Sequence, residues 1–329
     1  MQTIDANFQI IYEWNMVQED QSDMLKVIID FPESFNPESI KYELLEQNTI
    51  FRAFFDPDLP IIEGLLYSPV KSYDSHIENN QIIITFLKND DTKWPSLMKD
   101  KNPITSKIDP NSAFNIFRNE AETSDDTEKL EDLFSKSMAY GYLPALMYAL
   151  DMMEDDPELR DNYLQILDLA THKYQHPVAI FKYATYLIDN GQKEKGFKYL
   201  ALASQKGVGI AISLMGQMIS PLSGIEFSEK DPESALQLFE KVIGIKDEPI
   251  ALYEAAKLYK AGVGCEKDIE KANNYYQRAK SVSPNLPELP DYNDGVKILG
   301  VPAFIAAGVS VAAIAAGTFI YSLFKRSRN

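Results

Sequence analysis

Asp168, His172 and His176 recur at four-residue steps, a spacing that on a helix lines up one carboxylate and two imidazoles as metal ligands would stand. The same residues have a plainer role. His172 and His176 fall in the last turn before Pro177, where an imidazolium favours the negative end of the helix dipole. The third histidine, His76, lies in a different part of the chain. Gly262-Val263-Gly264 lacks the Lys-Ser/Thr that would follow it in a phosphate-binding loop, so it reads as a turn. No nucleophile, base and orienting group fall together. The chain is therefore expected to be non-enzymatic, with no catalytic, metal or cofactor-binding residue. Cys265, the single cysteine, has no intrachain partner for a disulfide, which agrees with a reducing compartment.

Charge narrows the partners further. The chain carries a net charge of -17 over 329 residues. An acidic protein offers little to nucleic acid or anionic lipid, which need a basic patch, whereas it attracts basic ligands.

The elements that would hold any binding surface change along the chain. Residues 1–100 contain short runs rich in Ile, Val, Phe and Tyr, broken by Pro, Asn and Asp, among them Met24–Phe31 and Gln81–Lys88. These predict an all-β antiparallel sandwich, with Trp14 and Trp94 packed at its edge. Residues 101–125, with Pro103, Pro110 and an acidic end, read as a linker. Residues 126–285 turn to a helical period that repeats. Second helices align from Leu130, Tyr163, Gly196, Ala235 and Ala272, and small first-helix residues Ala149, Ala184, Gly216 and Ala256 keep phase with them. An insertion, Ser220–Asp231, falls in a turn. Such periods predict stacked helix pairs with a shared core and a concave groove. Residues 286–297 read as a juxtamembrane linker.

Ile298–Phe324 contains no charged residue and exceeds the roughly 20 apolar residues needed to cross a bilayer. It is expected to be a transmembrane tail anchor, inserted after translation because only Lys325–Asn329 follow. With no leader signal at the N-terminus, the preceding domains are expected to face the cytosol. Gly308, Ala312 and Ala316 lie on one line of that helix, where small residues let membrane helices approach closely. The lipid bilayer and other membrane subunits are thus expected contacts.

Two domain families are recognisable. Tyr12-Glu13-Trp14, Gly64-Leu65-Leu66, Ile82–Lys88 and Trp94-Pro95-Ser96-Leu97 together resemble the CS domain, the sandwich of certain co-chaperones and nuclear-distribution proteins. That resemblance implies binding without a catalytic centre. Ala251, Ala256, Gly262, Gly264, Lys271, Ala272, Tyr275, Tyr276 and Ala279 closely resemble the Sel1-type tetratricopeptide repeat. Carrying the repeat pattern over implies groove-facing positions at Leu146, Leu150, Met153, Phe181, Ile188, Ser213, Gln217, Tyr253, Lys257 and Lys260. Of these, Leu146, Met153, Phe181, Ile188, Tyr253, Lys257 and Lys260 are the candidate partner-binding residues, their alternative being core. The apolar ones suit an amphipathic peptide better than a carboxylate.

A moderately hydrophobic anchor followed by Lys325, Arg326 and Arg328 resembles tail anchors of the mitochondrial outer membrane. The order of sandwich, repeats and anchor is similar to the tail-anchored receptor subunits of the TOM complex in hydrogenosomes. This resemblance implies recognition of preprotein targeting sequences, or of clients brought by cytosolic chaperones. The alternative is a membrane-anchored co-chaperone or quality-control scaffold on the endoplasmic reticulum.

Overall fold

Alternation of buried with more exposed residues marks sheet structure in the first part of the chain, most regularly over Met24–Asp30 and Gln81–Lys88. The computed structural model describes residues 14–31, 36–56 and 59–292. Strands β1 (Trp14–Val17), β2 (Met24–Asp30), β6 (Val70–Glu78) and β7 (Gln81–Lys88) form one antiparallel sheet in the order β1-β2-β7-β6. Strands β3 (Lys41–Leu45), β4 (Ile50–Asp56), β5 (Leu59–Leu66) and β8 (Met98–Asp100) form a second in the order β3-β4-β5-β8. Leu25, Val27 and Ile29 pair with Phe86, Ile84 and Ile82, and all six are buried. The two sheets meet through Phe51 and Phe86, whose rings stand edge to face at 4.8 Å. This is the expected all-β sandwich.

Among the described residues ten α-helices follow: α1 (Pro110–Glu120), α2 (Thr127–Ala139), α3 (Leu143–Met153), α4 (Arg160–Asp168), α5 (Pro177–Asp189), α6 (Lys193–Gln205), α7 (Gly209–Ile219), α8 (Pro232–Ile243), α9 (Pro249–Ala261) and α10 (Ile269–Val282). Their phase is the one the sequence predicts, with α2, α4, α6, α8 and α10 as second helices and the insertion lying between α7 and α8. The apolar stretch 298–324, including Gly308, Ala312 and Ala316, and the basic Lys325, Arg326 and Arg328 lie outside the described residues. Among the described residues no helix is long and apolar enough to cross a membrane.

The chain divides within α4 into two compact units, one ending at Tyr163 and the other beginning at Leu164. This differs from the expected break at a linker over 101–125, and the reason is local. Asp109 caps α1, accepting from Ser112 N at 2.8 Å, with Pro110 at the first helical position where its missing N–H costs nothing. The same carboxylate accepts from Trp14 Nε1 at 3.2 Å and from Glu63 N at 3.0 Å, and Asn111 Nδ2 donates to Trp14 O at 2.8 Å. Segment 101–125 is thus bonded into the sandwich. Phe114 and Phe117 of α1 then pack tilted against Phe134 of α2 and edge to face against Tyr148 of α3, so these helices belong with the strands.

In the second unit, helices pair in sequence. Gly216 in α7 sits where a Cβ would stand 2.6 Å from Phe239 Cε1 of α8, and Phe239 is fully buried. Gly216→Ala should therefore destabilise the protein by roughly 1–2 kcal/mol, overpacking outweighing the better helix propensity of alanine. A shifted urea midpoint checks this, and an unchanged one overturns the packing argument.

Burial pushes the Asp109 carboxyl up to about 6, against the pull of its N–H donors. An aspartate whose folded pKa lies above its unfolded one contributes stability below the unfolded value and loses it as pH rises through the folded value. Asparagine also caps helices but does not titrate. The stability of the wild type relative to Asp109→Asn should thus fall by roughly 2–3 kcal/mol between about pH 4 and about pH 7. Urea melts of both proteins at the two pH values measure it.

Candidate partner-binding surface

Helix α9 is buried almost all round, and that fact decides what surrounds it. Glu248 caps its start, accepting from Ile250 N and Ala251 N, and Gly262 ends it in the left-handed conformation that glycine adopts at no steric cost. Every residue from Ala251 to Tyr259 is buried, Glu254 and Lys257 included. Those two charges require partners. Lys257 Nζ lies 2.8 Å from Glu254 Oε2 and donates to Leu222 O at 2.9 Å, so the insertion between α7 and α8 is stitched to α9. Gln217 Nε2 approaches Glu254 Oε1 at 3.4 Å, and Ser213 Oγ donates to Glu248 Oε2 at 2.9 Å. Burial raises the Glu254 carboxyl above its ordinary range, and Lys257 pulls it back.

The chain leaving α10 closes another side of α9. Leu286 and Leu289 pack against the cluster formed by Leu252, Tyr253, Ala256, Tyr276 and Ala279. Tyr253 Oη reaches Glu288 O at 3.4 Å. Lys260 Nζ donates to Leu289 O at 3.2 Å and pairs with Asp291 Oδ1 at 2.9 Å. Lys280 pairs with Glu288 at 3.1 Å. These contacts hold the Glu288 and Asp291 carboxyls below their ordinary range, through Lys280 and Lys260 respectively. Residues 286–292, expected as part of a linker, lie against the repeats instead.

The candidate residues distribute unevenly. Leu146 and Met153, like Leu150, are fully buried in α3, whose apolar residues surround the helix rather than forming one stripe. They are core, and no groove exposes them. Tyr253 and Lys257 are also buried, under the segments just described. Phe181 and Ile188 are half-buried and packed against the cluster of Ile180, Ala184, Leu200 and Ala203. Ile188 fills the space beside Gly196, where a Cβ would meet its Cγ1 at 2.6 Å. Close packing between α5 and α6 accounts for that side chain. Lys260 is half-buried as well, its amine directed at the chain's own backbone and a carboxylate.

The histidine pattern dissolves for a structural reason. After Asp168 the helix widens into a π-helical turn, Leu169–Lys173, which breaks the four-residue line. His172 Nδ1 pairs with Asp168 Oδ1 at 2.9 Å and its Nε2 with Tyr199 Oη at 2.9 Å, while His176 stands at the N-cap position of α5 without a side-chain capping bond, its pKa lowered by burial. Among the described residues no group of three or more His, Cys, Asp or Glu could hold a metal ion. The Gly262–Gly264 turn is steric, since a Cβ on Gly264 would fall 2.6 Å from the Pro232 backbone at the start of α8.

The insertion Ser220–Asp231 borders an open cleft of about 450 Å³, lined by Lys193, Glu194, Ile225, Phe227 and Lys230 among others. Lys230 is bound to the carbonyls of Met218, Ser220 and Ile225, so its charge steadies the loop. Sequence reasoning missed Leu286, Leu289 and Tyr292. Their signal was present as a period of three, Leu-x-x-Leu-x-x-Tyr interleaved with Pro284, Pro287 and Pro290.

The family model described as Sel1 repeat matches residues 177–208, 211–241 and 249–281, which are the pairs α5/α6, α7/α8 and α9/α10. Similar solved structures include a Sel1 repeat protein from Oxalobacter formigenes, at 18% identity over 55% of this chain and 76% of that one, with a TM-score of 0.43. Another is a protective antigen of uropathogenic Escherichia coli strains displaying an SLR fold, at 18% identity over 52% of this chain and 38% of that one, with a TM-score of 0.41. No curated protein matches the chain in sequence. Residues 177–208, 211–241 and 249–281 thus match three Sel1 repeats, and in the sequence they follow a β-sandwich with its own helices.

Proposed function

We propose that this chain is a non-catalytic adaptor that presents its Sel1 repeats at a cytosol-facing membrane, held there by segment 298–324, and that it receives proteins bound for a mitochondrion-derived organelle. The observation that carries the adaptor reading is the run of three Sel1 repeats, a scaffold whose use is protein binding. The uncharged stretch from Ile298 to Phe324, long enough to span a bilayer, supports the tether. Lys325, Arg326 and Arg328 behind it favour the mitochondrial type of outer membrane. A net charge of -17 suits basic targeting sequences, raising the encounter rate more than the affinity. The resemblance of the N-terminal strands to a CS domain adds a second surface, for chaperones or their clients.

One observation favours the alternative of a membrane-bound co-chaperone. Lys260 and Lys280 already hold carboxylates, those of Asp291 and Glu288, on the last repeat. That surface suits an acidic ligand better than a basic one.

A reporter carrying residues 290–329 at its C-terminus tests the tether and its address. It should decorate mitochondrial or hydrogenosomal membranes. Neutralising Lys325, Arg326 and Arg328 should move it to the endoplasmic reticulum. A diffuse signal would remove the anchor, and a reticular signal from the unaltered tail would leave the co-chaperone alternative in its place.

A further inference from the structure

The segment after α10 has the pattern of a bound peptide rather than of a connecting loop. Pro284-Asn285-Leu286-Pro287-Glu288-Leu289-Pro290-Asp291-Tyr292 sorts into three edges by position. Leu286, Leu289 and Tyr292 are all half-buried, whereas Asn285, Glu288 and Asp291 are all exposed, and the prolines form the third edge. A burial period of three is that of a polyproline II helix, which makes no internal hydrogen bonds and presents its carbonyls to neighbours. The repeats answer each edge. Leu286 and Leu289 sit on Leu252, Tyr253, Ala256 and Tyr276, and Tyr292 packs against the neighbouring core that contains Ala255 and Leu258. Lys260 reads a main-chain carbonyl and the Asp291 carboxylate, and Lys280 reads Glu288.

The hold is loose. No residue from Pro284 to Tyr292 is fully buried. Among the described residues, no hydrogen bond joins the main chain of this segment to that of a repeat helix. Among the described residues the buried Tyr292 hydroxyl meets no hydrogen-bond partner. Nothing in these contacts requires the segment to be covalently continuous with α10. They read side chains at i, i+3 and i+6, a carbonyl, and two carboxylates at the rim.

We propose that the face of α9 and α10 bearing Tyr253, Lys260, Tyr276 and Lys280 is a binding site for an extended, proline-punctuated acidic segment of a partner protein, of the form Leu-Pro-acidic-Leu-Pro-acidic-aromatic, and that residues 284–292 occupy it until such a partner displaces them. This rests on the adaptor reading alone and names a site for an acidic partner class, separate from any surface for basic targeting sequences. A segment tethered this closely competes at an effective concentration on the order of millimolar, so the free site should be much stronger than the wild type reveals.

A fluorescent peptide of sequence PNLPELPDY, titrated against the full-length chain in detergent and read by anisotropy, tests the site. Leu286→Ala with Leu289→Ala loosens the resident segment, and this variant should bind the peptide at least tenfold more tightly than the wild type. Adding Lys260→Ala and Lys280→Ala to it should lose that gain, and a basic amphipathic helical peptide should not compete. Equal binding by wild type and loosened variant, absence of binding by both, or displacement by the basic peptide overturns the proposal. Should the loosened variant lose its helical circular dichroism, hydrogen exchange on the wild type decides. Excess PNLPELPDY should speed exchange in residues 284–292, a scrambled peptide should not, and unchanged exchange at saturating peptide overturns the site. Failure here leaves the membrane-targeting result untouched, so the two readings fall separately.

Discussion

A pair of amphipathic helices cannot bury its own apolar face, so each unit of a repeat array depends on what is laid against it. In this protein the constraint is tightest at α9, where Ala251 through Tyr259 are all buried. Helices α7, α8 and α10 cover part of that surface, as the shared core of Ile212, Phe239, Leu258 and Ala272 shows. The rest is covered by two pieces of chain with no regular structure, the insertion at Leu222 and the segment 284–292. A solenoid end that borrows its cover from an extended segment, rather than from another helix, keeps a peptide-shaped surface under that cover.

Burying α9 all round also brings charge inside. Removing Glu254 and Lys257 from water costs several kcal/mol per ion, and their contact at 2.8 Å repays it only with further hydrogen bonds. Leu222 O and Gln217 supply those bonds. Because the pair is bonded to the insertion and to α7, it fixes which loop lies against α9 in a way that apolar contact alone, being non-directional, would not. Asp109 plays the corresponding part in the first unit. One buried carboxylate takes N–H groups from β1, β5 and α1, and so selects a single seating of helix against strands.

The reading from sequence succeeded where periodicity is enforced by burial on one face only. The alternation in Met24–Asp30 and Gln81–Lys88 has no other physical reading than a half-buried strand. The small residues Ala184, Gly216 and Ala256 stay in phase because each lies under a neighbouring helix. The reading failed where apolar composition is not one-sided. In α3, Leu146, Leu150 and Met153 carry the spacing of a groove, yet the helix is apolar on every side and a register cannot be chosen by hydropathy. The supposed linker over 101–125 was obscured differently. Its prolines read as breakers, while Pro110 in fact stands at the first position of a helix, with Asp109 before it as cap. That Asp-Pro pair followed by Phe114 and Phe117 was the available signal.

The same ambiguity governs residues 284–292, because proline-rich sequence is the composition of linkers and of peptide ligands alike. What separates the two is whether the side chains between the prolines keep a period. Here Leu286, Leu289 and Tyr292 do, and the lysines that meet the intervening acids come from two preceding helices, Lys260 from 31 residues and Lys280 from 8 residues upstream of its partner. A spacer has no need of such matching. Only five residues separate Tyr292 from the apolar stretch that begins at Ile298. If that stretch is in a bilayer, the segment that covers α9 is also the last part of the tether. Nine residues at about 3.1 Å each amount to roughly 28 Å of chain. In the proposed exchange a partner peptide would take over the cover of α9 and release that length, so occupancy of the site and the reach of the repeats from the membrane would be two readouts of one equilibrium.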